Sequence, residues 1–330
     1  MSMLSISPHS RRSLVYQSFG SPLSTLELVE NEVSDLPCGS LRVAMSLAPV
    51  NPSDLIPITG AYAHRIVLPA IAGYEGVGRV IEASPELFSW VGKRVLPLRG
   101  EGTWQTLVDC PAIHAIEVPD SIPDLVAARA YINPLAAITM LRLWPVRGKT
   151  VLLTGAGSSC ANYLGRWAIQ QNARRVVGLY RSETRIPHIR ALGIEPVSMW
   201  DFSQISEVAA QANVTFDALG GQLGSRVLKL MAAGSQFVGY GLLSGQSIVL
   251  RQRPLAKYQR FHLRDHLPSE AVRTMSDAFV GIWPLLAEAT MPEARIFPIG
   301  DWRNAIYESS LPGGNKPILD LSEQALAGLR

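Results

Sequence analysis

The chain has 330 residues, of which 47% are apolar and 17% are charged, and its formal net charge is +3. This length accommodates two domains with separate cores, and the composition is typical of a compact rather than a disordered protein. The small positive charge includes no basic run that would indicate a nucleic-acid surface, and no apolar stretch approaches the ~20 residues that span a bilayer.

The N-terminal third is predicted to be rich in short strands. Apolar and polar residues alternate at positions 41–47, as they do in a half-buried strand. Similar segments, bounded by Gly and Pro, lie at 77–81, 93–98 and 104–108. Their spacing indicates a small, irregular β-barrel over residues 1–120. The strand-like segments at 295–299 and 316–320 are expected to rejoin this domain, which therefore includes residues 296–330.

After Pro119 the pattern changes to strands that alternate with helices. A predicted helix start at 123–130 and an apolar run at 135–143 precede a buried-type strand at 149–154. Further predicted strands lie at 175–180, 196–198, 214–219, 236–240 and 247–250, and the helices between them lie at 160–171, 187–192, 205–211 and 225–231. This alternation predicts an α/β domain with a doubly wound parallel sheet over residues 121–295.

A turn rich in Gly and Ser follows the strand at 149–154 and begins a helix. Gly155 and Gly157 fill the first two positions of the G-x-G-x-x-G nucleotide motif, but Cys160 occupies the third. Such a turn can present backbone N–H groups and the positive end of a helix to a phosphate, and Ser158 and Ser159 add hydroxyl donors. We therefore expect the pyrophosphate of a dinucleotide to bind at this turn.

The end of the second strand indicates which dinucleotide is bound. An Asp or Glu at this place would bind the ribose 2′-hydroxyl of NAD, whereas this chain has Tyr180, Arg181 and Ser182. The planar guanidinium of Arg181 suits a 2′-phosphate, and Tyr180 or Arg181 could stack on adenine. NADPH is therefore the expected cofactor. The alternative is that Arg181 is an ordinary surface arginine.

Three cysteines, Cys38, Cys110 and Cys160, form no C-x-x-C pair and no cluster with the spacing of metal ligands. We therefore expect reduced thiols and no metal site, and we expect Cys160 to be a small buried thiol rather than a reactive one. Residues 1–12 lack the apolar core of a secretory signal. The expected location is the cytoplasm, or the mitochondrial matrix if the chain is eukaryotic.

Several short motifs occur in an order and spacing that resemble the medium-chain dehydrogenase/reductases. They are Asn51-Pro-Ser-Asp54, Gly60-Ala-Tyr62, Gly73-Tyr-Glu-Gly-Val-Gly78, Gly102-Thr-Trp104, Asn133-Pro134, Arg181, Gly220-Gly221, Tyr240-Gly241 and Gly314-Asn-Lys-Pro-Ile-Leu319. Within that superfamily the chain is most similar to mitochondrial-type trans-2-enoyl thioester reductases and the related quinone oxidoreductases. The resemblance covers residues 26–320 and implies a GroES-like β-barrel catalytic domain and a Rossmann nucleotide-binding domain.

The resemblance also implies how the chemistry is done. Zinc-dependent members carry a cysteine where Asn51 stands and a histidine where Tyr74 stands, so reduction without a metal is implied. Tyr62 would be the catalytic tyrosine, which hydrogen-bonds the enolate and donates a proton. Asn51 and Asp54 would organise the active-site floor, although both are also ordinary turn residues.

The same resemblance implies a larger set of cofactor-binding residues, which adds to the Gly155, Gly157, Tyr180, Arg181 and Ser182 already named. These residues are Asn133, Ser158, Ser159, Cys160, Ala161, Tyr240, Gly241, Leu242, Leu243, Phe261, His262, Leu263 and Lys316. The chain departs from the family pattern at three places: Cys160 and Asn162 replace glycines, and Ala136 replaces a threonine.

The function implied is NADPH-dependent reduction of an activated C=C bond, most closely that of a trans-2-enoyl thioester of CoA or acyl carrier protein. One alternative is a zinc-free quinone or enone reductase that needs no acidic tyrosine. A second alternative, motivated by Cys160 and Asn162, is a non-catalytic NADPH-binding sensor. We expect a homodimer in which the nucleotide-binding sheets join edge to edge through the apolar segment 247–250.

Overall fold

The computed structural model describes residues 10–61, 63–98, 102–267, 272–289, 291 and 293–322. The chain forms two units, the first made of Met1–Ile132 and Pro268–Arg330 and the second of Asn133–Leu267. Within the described residues no helix combines the length and the apolar character that crossing a membrane requires.

The first unit is built mainly from strands, which are labelled here in chain order. Its strands are β1 (Ser10–Tyr16), β2 (Leu26–Glu32), β3 (Ser40–Pro49), β4 (Ala70–Ile71), β5 (Val77–Ala83), β6 (Arg94–Pro97), β7 (Leu107–Pro111), β8 (Ala115–Glu117), β15 (Ala294–Pro298) and β16 (Lys316–Asp320). Its helices are α1 (Pro22–Thr25), α2 (Pro52–Leu55), α3 (Asp124–Ala127), α9 (Val272–Ala287) and α10 (Trp302–Ser310). Helix α4 (Ile132–Leu143) begins at the boundary between the units.

A long central strand, β3, organises the first unit. It pairs antiparallel with β5, β7 and β16, and the seven-stranded sheet runs β15-β16-β3-β5-β6-β8 with β7 beside β3. A second sheet has the order β2-β1-β4. Trp104 and Trp302 are fully buried in the core, and the Trp104 indole N–H donates to the Pro49 carbonyl at 3.1 Å. The C-terminal strand β16 thus completes the sheet that the N-terminal third begins.

The boundaries of the first unit differ from those that the sequence pattern predicted. Residues 121–132 and 268–295, which were assigned to the α/β domain, group with the first unit. Hydrogen bonds explain the first case: Arg94 on β6 donates to the Asp124 carboxylate at 3.0 Å and to the Pro119 carbonyl at 2.9 Å. In the second case, helix α9 contacts β8, and residues 268–295 therefore group with the first unit.

The second unit contains one fully parallel sheet. Its strands are β9 (Thr150–Leu153), β10 (Arg175–Tyr180), β11 (Glu195–Ser198), β12 (Val214–Asp217), β13 (Gln236–Gly239) and β14 (Lys257–Arg260). Its helices are α5 (Ser159–Gln170), α6 (Ile186–Ala191), α7 (Phe202–Gln211) and α8 (Gly221–Leu230). The strand order β11-β10-β9-β12-β13-β14 corresponds to 3-2-1-4-5-6 within the unit, which is the Rossmann order. The predicted doubly wound sheet is therefore confirmed.

One predicted strand of this sheet is wrong. Residues 247–250 are not a strand, and the sheet ends instead at β14. Ile248 and Leu250 pack against the core of the unit, so the apolar side chains of the segment contribute to packing without a strand. However, the Val249 N–H donates to the Ser225 hydroxyl at 2.9 Å, and a side chain thus takes the place of a ladder partner.

Candidate functional site

In the first unit, the segment that follows β3 is held by a buried carboxylate. Asp54, which is 2% exposed, accepts from the Asn51 N–H at 2.7 Å and from the Tyr74 N–H at 3.0 Å. The first bond closes the N-terminus of the short helix α2, where Pro52 occupies the first turn. The second bond ties α2 to the Gly-rich segment before β5. Asp54 therefore joins the two motifs that are separated in the sequence.

A second carboxylate, Glu75, lies in the same cluster and was not assigned a role from the sequence. Glu75 is 1% exposed, and one of its oxygens accepts from the Asn51 amide at 2.7 Å. Its other oxygen accepts from the backbone N–H groups of Tyr131 and Ile132 at 3.1 and 2.8 Å. Glu75 thus ties the segment before α2 to the start of α4. A carboxylate inside a glycine-rich turn before a buried strand is the signal that could have revealed it.

Lys316 supplies the cation of this cluster. Its ammonium donates to the Val50 carbonyl at 2.7 Å and to the Asn51 side-chain oxygen at 2.6 Å. Asn51 therefore connects Lys316 on one side with Glu75 on the other, and its own N–H is bound by Asp54. The resemblance places Lys316 near the cofactor, and in the structure its ammonium also belongs to the cluster of Asn51 and Asp54.

Burial controls the ionisation of this cluster. Desolvation, helped by the nearby Glu75 charge, raises the pKa of Asp54 to about 7 against the lowering effect of backbone donors and of Lys316. Desolvation also raises the pKa of Glu75 and lowers that of Lys316 to about 8. The cluster therefore combines acidic and basic groups whose pKa values have moved toward neutrality.

Tyr62, the predicted catalytic tyrosine, lies outside the described residues. In the chain that leads to it, Gly60 has φ 88° and ends the turn Pro57–Thr59. The Gly60 N–H donates to the Pro57 carbonyl at 3.0 Å. A residue with a Cβ would be strained at this left-handed position, so glycine is favoured there.

In the second unit, the turn after β9 has the features of an anion-binding site. Gly155 has φ 62°, a conformation that favours glycine, and the Ala156 N–H donates to the Leu179 carbonyl of β10 at 2.9 Å. Ser158 is the N-cap of α5, and its hydroxyl accepts from the Ala161 N–H at 3.4 Å. The turn leads directly into Ser159 and the first turn of a 12-residue helix, where free N–H groups and the helix dipole favour a phosphate.

Cys160 is buried behind this turn. Its thiol lies 3.8 Å from the Asn133 carbonyl oxygen, to which it can donate, and burial raises the thiol pKa to about 12. Asn133 and Cys160, both assigned to the cofactor by the resemblance, are thus brought together. A thiol with so high a pKa is not a nucleophile at neutral pH.

Other predicted cofactor residues follow the carboxyl ends of neighbouring strands. Tyr180 ends β10, Arg181 follows as an exposed residue, and the Ser182 hydroxyl lies 2.8 Å from that of Thr184. Since β10 pairs in parallel with β9, this segment lies at the same edge of the sheet as the Gly155 turn. Ligands of such sheets bind at this edge, where the strand order reverses between β9 and β12.

The segment after β13 reaches the same turn. The Tyr240 N–H donates to the Asp217 carbonyl at 2.9 Å, and a Cβ at Gly241 would lie 2.7 Å from the Ala218 carbonyl oxygen. The Tyr240 hydroxyl is buried without a hydrogen bond of normal geometry among the described residues, although Ser158 and Cys160 are its neighbours. Burial raises the Tyr240 pKa well above its usual value.

The remaining predicted cofactor residues divide into exposed and buried groups. Leu242 and Leu243 follow Tyr240 and are exposed. Phe261 follows β14 at the edge of the sheet and is buried between Trp144, with ring centroids 6.2 Å apart, and His266, at 5.0 Å. The adjoining residues, His262 and Leu263, are exposed and partly buried, respectively. Of this group, Phe261 packs in the core of the unit.

Within the described part of the chain, no group of three or more His, Cys, Asp or Glu side chains is placed to hold a metal ion.

Residues 38–120 match the family model of the alcohol dehydrogenase GroES-like domain. The chain is 28% identical to the Homo sapiens mitochondrial enoyl-[acyl-carrier-protein] reductase over 338 residues, covering 93% of this chain and 88% of the human protein. It is 30% identical to the Arabidopsis thaliana protein of that name over 258 residues, covering 74% of this chain and 68% of that protein.

The fold is also that of a solved structure. A Bacillus thuringiensis protein assigned as an NADPH:quinone reductase matches with a TM-score of 0.85 and 30% identity, covering 94% of this chain and 99% of that one. The predicted resemblance and the predicted GroES-like and Rossmann architecture are both confirmed. The chain therefore belongs to the medium-chain dehydrogenase/reductase family of oxidoreductases.

Proposed function

We propose that this protein reduces an activated C=C bond with NADPH, and that its substrate is a trans-2-enoyl thioester of CoA or acyl carrier protein. The observation that carries the proposal is the turn from Gly155 to Ser158, which enters helix α5 at the point where the strand order of a parallel sheet reverses. The names of the human and Arabidopsis relatives support the substrate class, and that of the Bacillus protein supports the cofactor.

The residues of the second unit fit a dinucleotide. A Cβ at Gly157 would lie 3.2 Å from Cγ of Arg185, so a side chain at this position would crowd the turn. The buried hydroxyl of Tyr240 has no hydrogen bond of normal geometry in the described chain, and a bound polar ligand would satisfy it. In this proposal Ser158 and Ser159 hold the pyrophosphate, and Arg181 binds the 2′-phosphate.

The reaction moves a hydride and a proton. When bound, NADPH supplies the hydride that forms the new C–H bond at the β-carbon of the thioester. The electron pair of the C=C bond then moves toward the α-carbon and the carbonyl oxygen, where negative charge develops. In the proposed mechanism Tyr62 donates the proton to the α-carbon, because a phenol with a pKa of ~10 stays protonated at neutral pH. Asn51 and Asp54 hold the segment that leads to Tyr62.

NADPH oxidation with crotonyl-CoA tests the proposal. The Tyr62→Phe variant should lose at least about 100-fold in kcat, the effect of removing a general acid. Tyr307→Phe is the matched control, because Tyr307 is an exposed tyrosine on α10 in the same unit. Unchanged turnover of Tyr62→Phe would remove this residue from the mechanism. If the protein bound NADPH but reduced none of the double-bond substrates tested, the non-catalytic NADPH-binding sensor would be the remaining alternative.

A quinone or enone reductase is the second candidate, favoured by the similarity to the Bacillus thuringiensis protein. Such an enzyme transfers reducing equivalents to a conjugated carbonyl and does not depend on an acidic tyrosine. Activity on quinones, together with none on crotonyl-CoA, would replace the thioester in our proposal. If the Tyr62→Phe variant reduced quinones as fast as the wild type, the mechanism without an acidic tyrosine would be favoured.

We also propose that the protein is a homodimer joined through the second unit. Strand β14, rather than residues 247–250, is the last strand of the sheet among the described residues, and an edge strand can pair with a second copy. Light scattering measures the mass in solution. A monodisperse monomer at micromolar concentration would contradict this proposal.

A further inference from the structure

Asn162, which stands in the first turn of α5 where the family usually carries a glycine, makes two hydrogen bonds with its side chain. The Asn162 amide nitrogen donates to the Ala156 carbonyl at 2.6 Å, and its side-chain oxygen lies 3.0 Å from Nε2 of His188. Asn162 is 5% exposed, so its bond to Ala156 is buried, and its bond to His188 is partly buried. We call the set Ala156, Asn162 and His188 the turn brace.

The brace fixes the orientation of one peptide group in the turn. In a trans peptide the C=O and the following N–H point in opposite directions. Because the Ala156 carbonyl is held by Asn162, the N–H of Gly157 is directed to the opposite side. The Ala156 N–H is itself bonded to Leu179, and a Cβ at Gly178 would lie 2.6 Å from that of Ala156. Ala156 is thus held through its N–H, its carbonyl and its methyl group.

His188 extends the brace to the segment after Arg181. It lies on α6, and since the Asn162 oxygen can only accept, Nε2 of His188 is the donor. Burial lowers the pKa of His188, and so does the nearby Arg185. Arg185 precedes α6, and its Cγ lies beside Gly157. The brace therefore links the turn after β9 to the segment after β10.

We propose that Asn162 and His188 are positioning residues for the pyrophosphate-binding turn, and that their hydrogen bonds replace the glycine that the family usually carries at this place. The inference rests on the proposed function, because NADPH is the ligand whose pyrophosphate the turn would bind. A glycine at position 162 would allow the turn to pack closely against the helix. The Asn162 side chain instead holds the turn through its hydrogen bond to the Ala156 carbonyl. Asn162 is in this view a requirement of this chain and not a tolerated substitution.

Titration of the full-length protein with NADPH by calorimetry tests the inference. Asn162→Ala and Asn162→Gly should each raise the Kd for NADPH by about tenfold, since each removes a buried hydrogen bond from the turn. At saturating NADPH, kcat with crotonyl-CoA should stay within about twofold of wild type, because the change concerns binding. His188→Ala should raise Kd, and His188→Gln, which keeps a donor, should restore it.

Asn213→Ala is the matched control. Asn213 accepts from the Thr150 N–H at 2.8 Å, at the opposite end of β9, so its loss should lower stability without changing Kd. If the Asn162→Gly variant binds NADPH as tightly as the wild type does, the inference is overturned and the proposed function is left intact. A wild-type protein that does not bind NADPH would overturn both. The His188 pair keeps the inference testable if an Asn162 variant does not fold.

Discussion

Helix α5 packs tightly against Ile194 and Leu153 at Gly165, and this position provides a quantitative test of the fold around the turn. A Cβ at Gly165 would lie 2.3 Å from Cδ1 and 2.8 Å from Cγ1 of Ile194, and 3.0 Å from Cδ1 of Leu153. Ile194 is 2% exposed and cannot move into solvent. The change Gly165→Ala therefore forces either the helix or Ile194 to shift.

Two opposing effects determine the magnitude. Overpacking a core costs about 1–3 kcal/mol, whereas replacing Gly by Ala in a helix interior gains about 1 kcal/mol. Gly165→Ala should therefore lower the free energy of unfolding by up to about 2 kcal/mol. Ile194→Ala alone should cost about 2–5 kcal/mol, because it leaves a cavity. In the Ile194→Ala background the main clash is gone, so adding Gly165→Ala should raise the free energy of unfolding by about 1 kcal/mol.

The assay is urea denaturation of the two single variants and the double variant, followed by circular dichroism. The matched control is Gly281→Ala on α9, where a Cβ would meet nothing within 4 Å, so this variant should be neutral or more stable by up to about 1 kcal/mol. The decisive result is the reversal of sign between backgrounds, which is a coupling of neighbours. If Gly165→Ala destabilises both backgrounds equally, the close approach of α5 to Ile194 is refuted.

Three further predictions concern titration, thiol reactivity and cofactor binding. The pKa of Asp54 rises from 3.8 to about 7 on folding, so its contribution to stability should fall as pH increases from about 4 to about 7, and Asp54→Asn should flatten this part of a urea-stability profile. Cys160, with a pKa of about 12, should resist iodoacetamide in the native protein, whereas the exposed Cys38 should react, as peptide mass mapping would show. Tyr240→Phe should leave the ligand-free protein at least as stable, because it removes a buried hydroxyl that lacks a good partner, but should weaken NADPH binding in a calorimetric titration.

The nucleotide-binding half of the chain could be predicted closely because its signals are local. The predicted strand 175–180 coincides with β10, and the predicted strand 149–154 and helix 160–171 overlap β9 and α5. An apolar run, a glycine turn and an amphipathic segment are all properties of neighbouring residues. The same reasoning failed at residues 247–250, where apolar side chains pack on the core but Ser225 takes the Val249 N–H.

Strand β14 illustrates the opposite case. Its sequence, Lys-Tyr-Gln-Arg, has no apolar alternation, and yet it pairs in parallel with β13 over its full length. An edge strand contributes backbone hydrogen bonds and little buried apolar surface, so composition does not reveal it. Pairing at the edge of a sheet depends on which strand is already in place, and this is information that a local window of sequence does not contain.

The hydrogen bonds of Asn162 also could not be predicted from the motif. The motif showed only that Cys160 and Asn162 stand where the family usually carries glycines. In the structure the close approach is at Gly165, and the Asn162 side chain finds acceptor and donor partners in Ala156 and His188. A motif records which residue is absent, but not which new bonds its replacement makes.

In the catalytic half, the contacts that the sequence could not predict join residues that are far apart along the chain. Asn51 and Lys316 are 265 positions apart, and Glu75 is bonded to residues 24 and 57 positions away. Each buried carboxylate would be costly alone, and each accepts hydrogen bonds from N–H groups and is stabilised by the charge of Lys316. The resemblance places Lys316 beside the cofactor, and its bonds to Val50 and Asn51 add an anchoring role that no motif indicated. The segment that leads to Tyr62 is thus anchored by the C-terminal strand β16, so the two ends of the first unit are required together for the proposed proton donor.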